Sequence, residues 1–94
     1  MSDIILTGAE KTRLRGMGQL LAPALKLGKA GLTPAFLGEL QRALDAQALV
    51  KLRFLGTDRR ERAALCGQIA AEGRCACVGS VGATALFYRP KKEN

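Results

Sequence analysis

Leu25-Lys26-Leu27-Gly28-Lys29-Ala30-Gly31-Leu32-Thr33-Pro34 is the stretch on which the fold turns. Leu25 and Leu27 alternate with Lys26, the pattern of a half-buried strand. Gly28 and Gly31 bracket two residues, so the backbone can turn sharply at positive φ and expose its N–H groups. Thr33 is a good N-cap, and Pro34 falls at the first helical position, where a missing N–H costs nothing. Leu32 and Leu37 are spaced as a hydrophobic staple across that helix start. A bare glycine loop ahead of a helix N-terminus suits a phosphate, because free N–H groups and the helix dipole point the same way. Lys29 adds a full positive charge at the tip. Two glycines between a strand and a helix are more often only a turn, so the loop needs support from the rest of the chain.

Outward from this stretch, charge is the strongest global signal. The chain has 94 residues, with fifteen Lys and Arg against eight Asp and Glu, a net charge of +7. That imbalance opposes compaction and attracts polyanions, so nucleic acid or an acidic surface is the expected partner. The length suits one domain with a modest core, and a hydrophobic content of 48% is that of a globular protein. No apolar run approaches the roughly 20 residues of a membrane span, and no basic segment leads into an apolar one as in a signal peptide. Cytoplasmic residence, no membrane partner and a monomer are the corresponding expectations.

Three cysteines and no histidine leave little room for metal or triad chemistry. Cys75 and Cys77 fall on one face of a strand, and Cys66 could join them, but a fourth zinc ligand is missing. The odd count argues against a secreted disulfide scaffold, and small buried hydrophobes are the better reading. No cofactor and no metal site are expected.

Taken in order, the chain opens with a short lead-in. Thr7-Gly8-Ala9-Glu10 is a capping box that starts a helix with Leu14, Met17 and Leu21 on its buried face. Lys11 and Arg15 share one flank of it. Gly16 and Gly18 weaken this helix and point to close packing or an end near Gln19. A second helix is predicted from Pro34 to about Ala48, with Phe36, Leu37, Leu40 and Leu44 as its apolar stripe. Leu49 to Leu55 is the clearest strand: Val50, Leu52 and Phe54 face one way, Lys51 and Arg53 the other. Two cations and no anion predict that this outer face is open to water or to a polyanion.

Asp58-Arg59-Arg60-Glu61 starts a third helix by another capping box; Leu65, Cys66, Ile69 and Ala70 form its core side, and Gly73 is a natural C-terminal stop. Arg59, Arg60 and Arg62 sit in its first turn, against the helix dipole, which hints at a phosphate site or a solvated helix end. Ala76–Val81 and Thr84–Arg89 read as strands joined by a Gly-first hairpin at Gly82-Ala83. Residues 90–94 carry a short basic tail with Lys91 and Lys92. The order is therefore α-β-α-β-α-β-β: an α/β single domain, a four-stranded mixed sheet with helices packed mainly on one face.

Leu14-Arg15-Gly16-Met17-Gly18, then Leu25 to Pro34, then Leu49-Val50-Lys51-Leu52, then Phe87-Tyr88-Arg89 resemble in order and spacing the CRM domain (chloroplast RNA splicing and ribosome maturation), and within it the bacterial YhbY-like group. The resemblance spans residues 1–94 nearly throughout. It implies a compact fold like the C-terminal domain of translation initiation factor three, RNA binding through a KH-like GxxG loop, and association with precursors of the large ribosomal subunit. The loop residues it carries over are Gly28, Lys29, Ala30 and Gly31. Ala83 departs from the basic residue that this hairpin often has in the family. Candidate RNA contacts are the loop with Lys26, Lys11, Arg15, Lys51, Arg53, Arg59, Arg60, Arg62 and Arg89.

The aromatic residues Phe36, Phe54, Phe87 and Tyr88 stand among core neighbours, so recognition of the RNA backbone or shape is expected rather than base stacking on a strand. The expected function is non-catalytic binding of ribosomal RNA in large-subunit assembly. The alternative is an interaction module for an acidic protein on the same particle. A nucleotide-hydrolysing enzyme fits poorly: the loop is too short for a Walker motif, and no Lys-Ser/Thr follows it. No small-molecule substrate is expected.

Overall fold

A computed structural model describes residues 5–28 and 30–90. Lys29 and the tail lysines Lys91 and Lys92 lie outside the described residues. The elements are α1 (Gly8–Gly18), β1 (Leu25–Leu27), α2 (Pro34–Ala46), β2 (Leu49–Phe54), α3 (Arg59–Gly73), β3 (Ala76–Val81) and β4 (Thr84–Tyr88). The sheet order is β1-β2-β4-β3. β1 pairs with β2 in parallel, and the other two pairings are antiparallel.

Local chemistry starts each helix. Thr7 and Asp58 close reciprocal capping boxes with Glu10 and Glu61, and Thr33 accepts from the Phe36 N–H at 3.1 Å. The backbone N–H and the hydroxyl of Thr7 both bond to Glu10 and hold its carboxyl below the ordinary value. The helix ends depart from expectation. α2 stops at Ala46, capped by Gln47 in extended conformation. Gly73 is the last helical residue of α3, and Arg74 takes the left-handed cap, at φ 52°. Glycine is needed at 73 for room: a Cβ there would lie 2.8 Å from Leu40 Cδ2 and 3.3 Å from Cys75 Sγ.

The period-two pattern of β2 divides the molecule. Val50, Leu52 and Phe54 join Leu25, Leu27, Ala85 and Phe87 on one face, and α2 and α3 cover it with Phe36, Leu40, Leu44 and Ile69. The other face has a smaller cluster, Leu49, Val78 and Leu86 under Leu14 of α1. Two of the three helices thus share one face. A bulge between Cys77 and Gly79 sends Cys77 to the main core and Val78 to the smaller one.

α1 touches the sheet lightly, with only Leu14 and Gly18 buried. Met17, expected on its buried face, is 49% exposed, because the helix meets the sheet along Leu14 and Gly18 instead. A Cβ on Gly18 would overlap the Leu86 side chain, whereas one on Gly16 would meet open space. Gly16→Ala should therefore raise stability by up to ~1 kcal/mol, the usual cost of glycine inside a helix. Gly18→Val should lower it by about 1–3 kcal/mol through overpacking. Urea unfolding midpoints that shift in opposite directions check both.

Candidate nucleic-acid interface

β1 and β2 run in parallel and end together, and β4 begins at the same end. Leu55 N–H donates to the Leu27 carbonyl at 2.8 Å, and Phe54 N–H to the Ala83 carbonyl at 2.7 Å. Three connections therefore meet at one end of the sheet: the glycine loop into α2, residues 55–58 into α3, and the β3–β4 hairpin.

The glycine loop is tighter than its sequence implies. Gly31 alone of the two glycines has positive φ, at 73°; Gly28 does not. Gly31 N–H is used inside the turn, on the Gly28 carbonyl at 3.1 Å, and Thr33 N–H bonds the Gly31 carbonyl at 3.0 Å. Leu32, ahead of the Thr33 cap, and Ala35, in the first turn of α2, present N–H groups for which the described residues offer no acceptor. Ala30 is exposed, and a Cβ at Gly28 or Gly31 would meet open space. The loop is thus an unobstructed turn beside a helix N-terminus, which favours anions.

Lys26 and Arg53 are register partners on β1 and β2, and Arg53 pairs with Thr84 on β4. Both cations are exposed on the α1 side of the sheet, beyond the part that α1 covers. None of the four strands carries an acidic residue. Arg15, exposed on α1, lies over Gly79 of β3, where a Cβ would stand 3.0 Å from its Cδ. Arg59 and Arg60 are exposed at the start of α3, at the same end as the glycine loop. Lys26, Arg53 and Arg15 share the α1 side of the sheet, whose strands carry no acid, a surface that the topology and not the chain order assembles, whereas Arg59 and Arg60 stand between the exposed Asp58 and Glu61.

Other candidates are held elsewhere. Lys51 is half-buried, and its Nζ donates to the Gly18 and Leu21 carbonyls at 3.4 and 3.3 Å. The outer face of β2 is therefore open at Arg53 but closed by the end of α1 at Lys51. Arg62 is turned back on its own loop, with Nη1 2.7 Å from the Thr57 carbonyl. Lys11 lies on the first half of α1, near Cys77, and Cys77 is at the end of β3 remote from the hairpin. Arg89 is at the far end of the sheet and ties it to the helices: Gln41 Oε1 at 2.6 Å, the Gly73 carbonyl at 3.2 Å and Asp45 Oδ1 at 2.8 Å. Residues that sequence reading passed over include Gly79, Val81 and Thr84, which line a cleft beside Arg15. An isolated glycine inside a predicted strand was the available signal for it.

Arg89→Met should cost about 1.5–3 kcal/mol, since it takes the charged donor from the half-buried Gln41 Oε1 and leaves the Gly73 carbonyl with Gln41 Nε2 alone. Asp45→Ala, which removes an exposed partner, should cost about 1 kcal/mol or less. Denaturant midpoints separate the two.

The cysteines pack into the main core rather than toward this surface. Burial pushes Cys66 up to about 12 and Cys75 to about 11, and burial also raises Cys77. A proximal second thiol, Cys77, raises Cys66 further. Thiols with raised folded values favour the native state below the ordinary value of 9.0 and lose that contribution as pH rises toward their folded values. Native thiols should therefore alkylate far more slowly at about pH 8 than urea-unfolded ones, and the urea midpoint should fall between about pH 9 and 11.

The sequence profile of the CRS1 / YhbY (CRM) domain matches residues 6–89. "Probable RNA-binding protein PA4753" of Pseudomonas aeruginosa is 37% identical over 84 residues, which cover 89% of this chain and 81% of that one. "RNA-binding protein" of Haemophilus influenzae is 33% identical over 94% of this chain and 89% of its own. The solution structure of hypothetical protein SAV1595 from Staphylococcus aureus superposes with a TM-score of 0.84 at 26% identity, over 96% of this chain and 94% of that one.

Proposed function

Because this chain belongs to the CRS1 / YhbY (CRM) domain family, we propose that it is a non-catalytic RNA-binding protein that engages ribosomal RNA through its GxxG loop and adjoining basic surface, in assembly of the large subunit. The observation that carries this reading is the acid-free sheet face with Lys26 and Arg53 paired beside the loop. Phosphates can follow that row, while the loop admits the backbone closely at Gly28 and Gly31. The relatives' names support RNA as the ligand, and the net charge of +7 supports a polyanion. Recognition is of backbone and shape, because Phe36, Phe54 and Phe87 are buried in the core and unavailable for stacking. Cytoplasmic action as a monomer goes with this reading. No helix among the described residues is long and apolar enough to cross a membrane.

Binding to large-subunit ribosomal RNA across a salt series tests it, wild type beside Lys29→Asp/Ala30→Asp. Wild-type affinity should fall steeply with salt, with a log–log slope of about −0.7 per phosphate contacted. The double variant, folded by circular dichroism, should lose about tenfold or more at equal salt. Equal binding by both would make the loop a structural turn. Association with the particle that survives RNase would favour an acidic protein partner instead.

A further inference from the structure

We propose that the cleft between the end of α1 and the β3–β4 ribbon receives one unpaired nucleotide base extruded from the RNA, an inference that rests on the RNA-binding reading above. The cleft has a volume of about 310 Å³. That is the lower end of the ~300–1,000 Å³ span of small-ligand sites, suited to one nucleotide-sized group.

Two glycines build it. Gly18 lets the last turn of α1 settle on Leu86, and Gly79 lets the stem of Arg15 lie across β3. Arg15 then borders the cleft from the helix side, with its guanidinium reaching toward Thr12 Oγ1 at a long 3.4 Å. The planar guanidinium supplies the stacking surface that no aromatic residue provides here.

The opposite wall is apolar and unprotected. Val81 is 79% exposed at the end of β3, and Leu86 lies behind it. An exposed β-branched side chain beside a cationic plane is a wall that gains by being covered. Lys51 contributes positive charge from below while its ammonium is fixed to the Gly18 and Leu21 carbonyls. No acidic side chain lines the cleft. Thr84, at its rim, is the register partner of Arg53, so the cleft continues directly into the Lys26–Arg53 row. A chain whose phosphates follow that row can turn one base into the cleft. A base held in a duplex stack cannot enter it, so the surface selects bulges and loops over continuous helix.

The test uses two RNA hairpins, one with a single bulged 2-aminopurine and one with the same base paired. Each is titrated with the full chain, as wild type, Arg15→Gln and Gly79→Val. Arg15 is exposed, so its variant keeps the fold even if Gly79→Val does not, and amide spectra report on both. Wild type should prefer the bulged hairpin by about tenfold, the order expected for one packed base, with a change in 2-aminopurine fluorescence. Arg15→Gln should abolish that preference and signal, weakening binding to the bulged hairpin about tenfold more than binding to the paired one. Equal wild-type binding to both hairpins, or a preference that survives in Arg15→Gln, overturns the cleft and leaves the RNA reading standing. Failure to bind either hairpin at low salt overturns the RNA reading, and the cleft with it. Amide shifts at Gly18 and Gly79 with an oligo-aspartate peptide, and none with RNA, would make the cleft a protein site and overturn the proposal.

Discussion

Strand β2 has to satisfy two incompatible surroundings, and the rest of the structure depends on that asymmetry. Val50, Leu52 and Phe54 are buried to within 3% of completion, and each contributes about 1.5–3 kcal/mol of apolar burial at most. Lys51 and Arg53 alternate with them and cannot enter an apolar layer unpaired. Helices α2 and α3 therefore close one face fully. The other face is covered only where Leu49, Val78 and Leu86 offer α1 an apolar landing. At the border, the carbonyls of Gly18, at the end of α1, and of Leu21, just beyond it, receive the Lys51 ammonium, so a potential burial cost becomes a tie between helix and sheet. Beyond that border the sheet stays bare at Lys26 and Arg53.

The acids are placed so that they do not neutralise this face. Glu10, Asp58 and Glu61 serve helix N-termini, where they satisfy backbone donors and complement the positive end of the dipole. Asp45 faces Arg89 at the far end of the sheet. Cations on the strands are left without local compensation, and their fields add over one surface. Close approach of the backbone completes the arrangement. Gly73 admits Leu40 against the end of α3, and Gly18 admits Leu86 against the end of α1.

Much of this could be read from residue order because it is local. The capping chemistry of Thr7, Thr33 and Asp58 marks the helix starts, and the alternation of Leu49 to Phe54 assigns each side chain to a face. The element order, the mixed sheet and the loop of Gly28 and Gly31 follow from short-range preferences of that kind. The helix ends were less legible: Gly73 resembles a left-handed stop, yet packing against Leu40 holds it in the helix and passes that conformation to Arg74.

Tertiary structure alone decided which cations stand together. Lys51, Arg53 and Arg89 look alike in the sequence, but Lys51 is bonded to α1, Arg89 to Asp45 and Gln41, and Arg53 is exposed beside Lys26. The cleft under Arg15 was equally hidden, since its walls come from α1, β2, β3 and β4. The physical reason is range. Caps, turns and alternation act over a few residues and are written in the chain, whereas the surroundings of a charge depend on which strands pair and which helix lands above them.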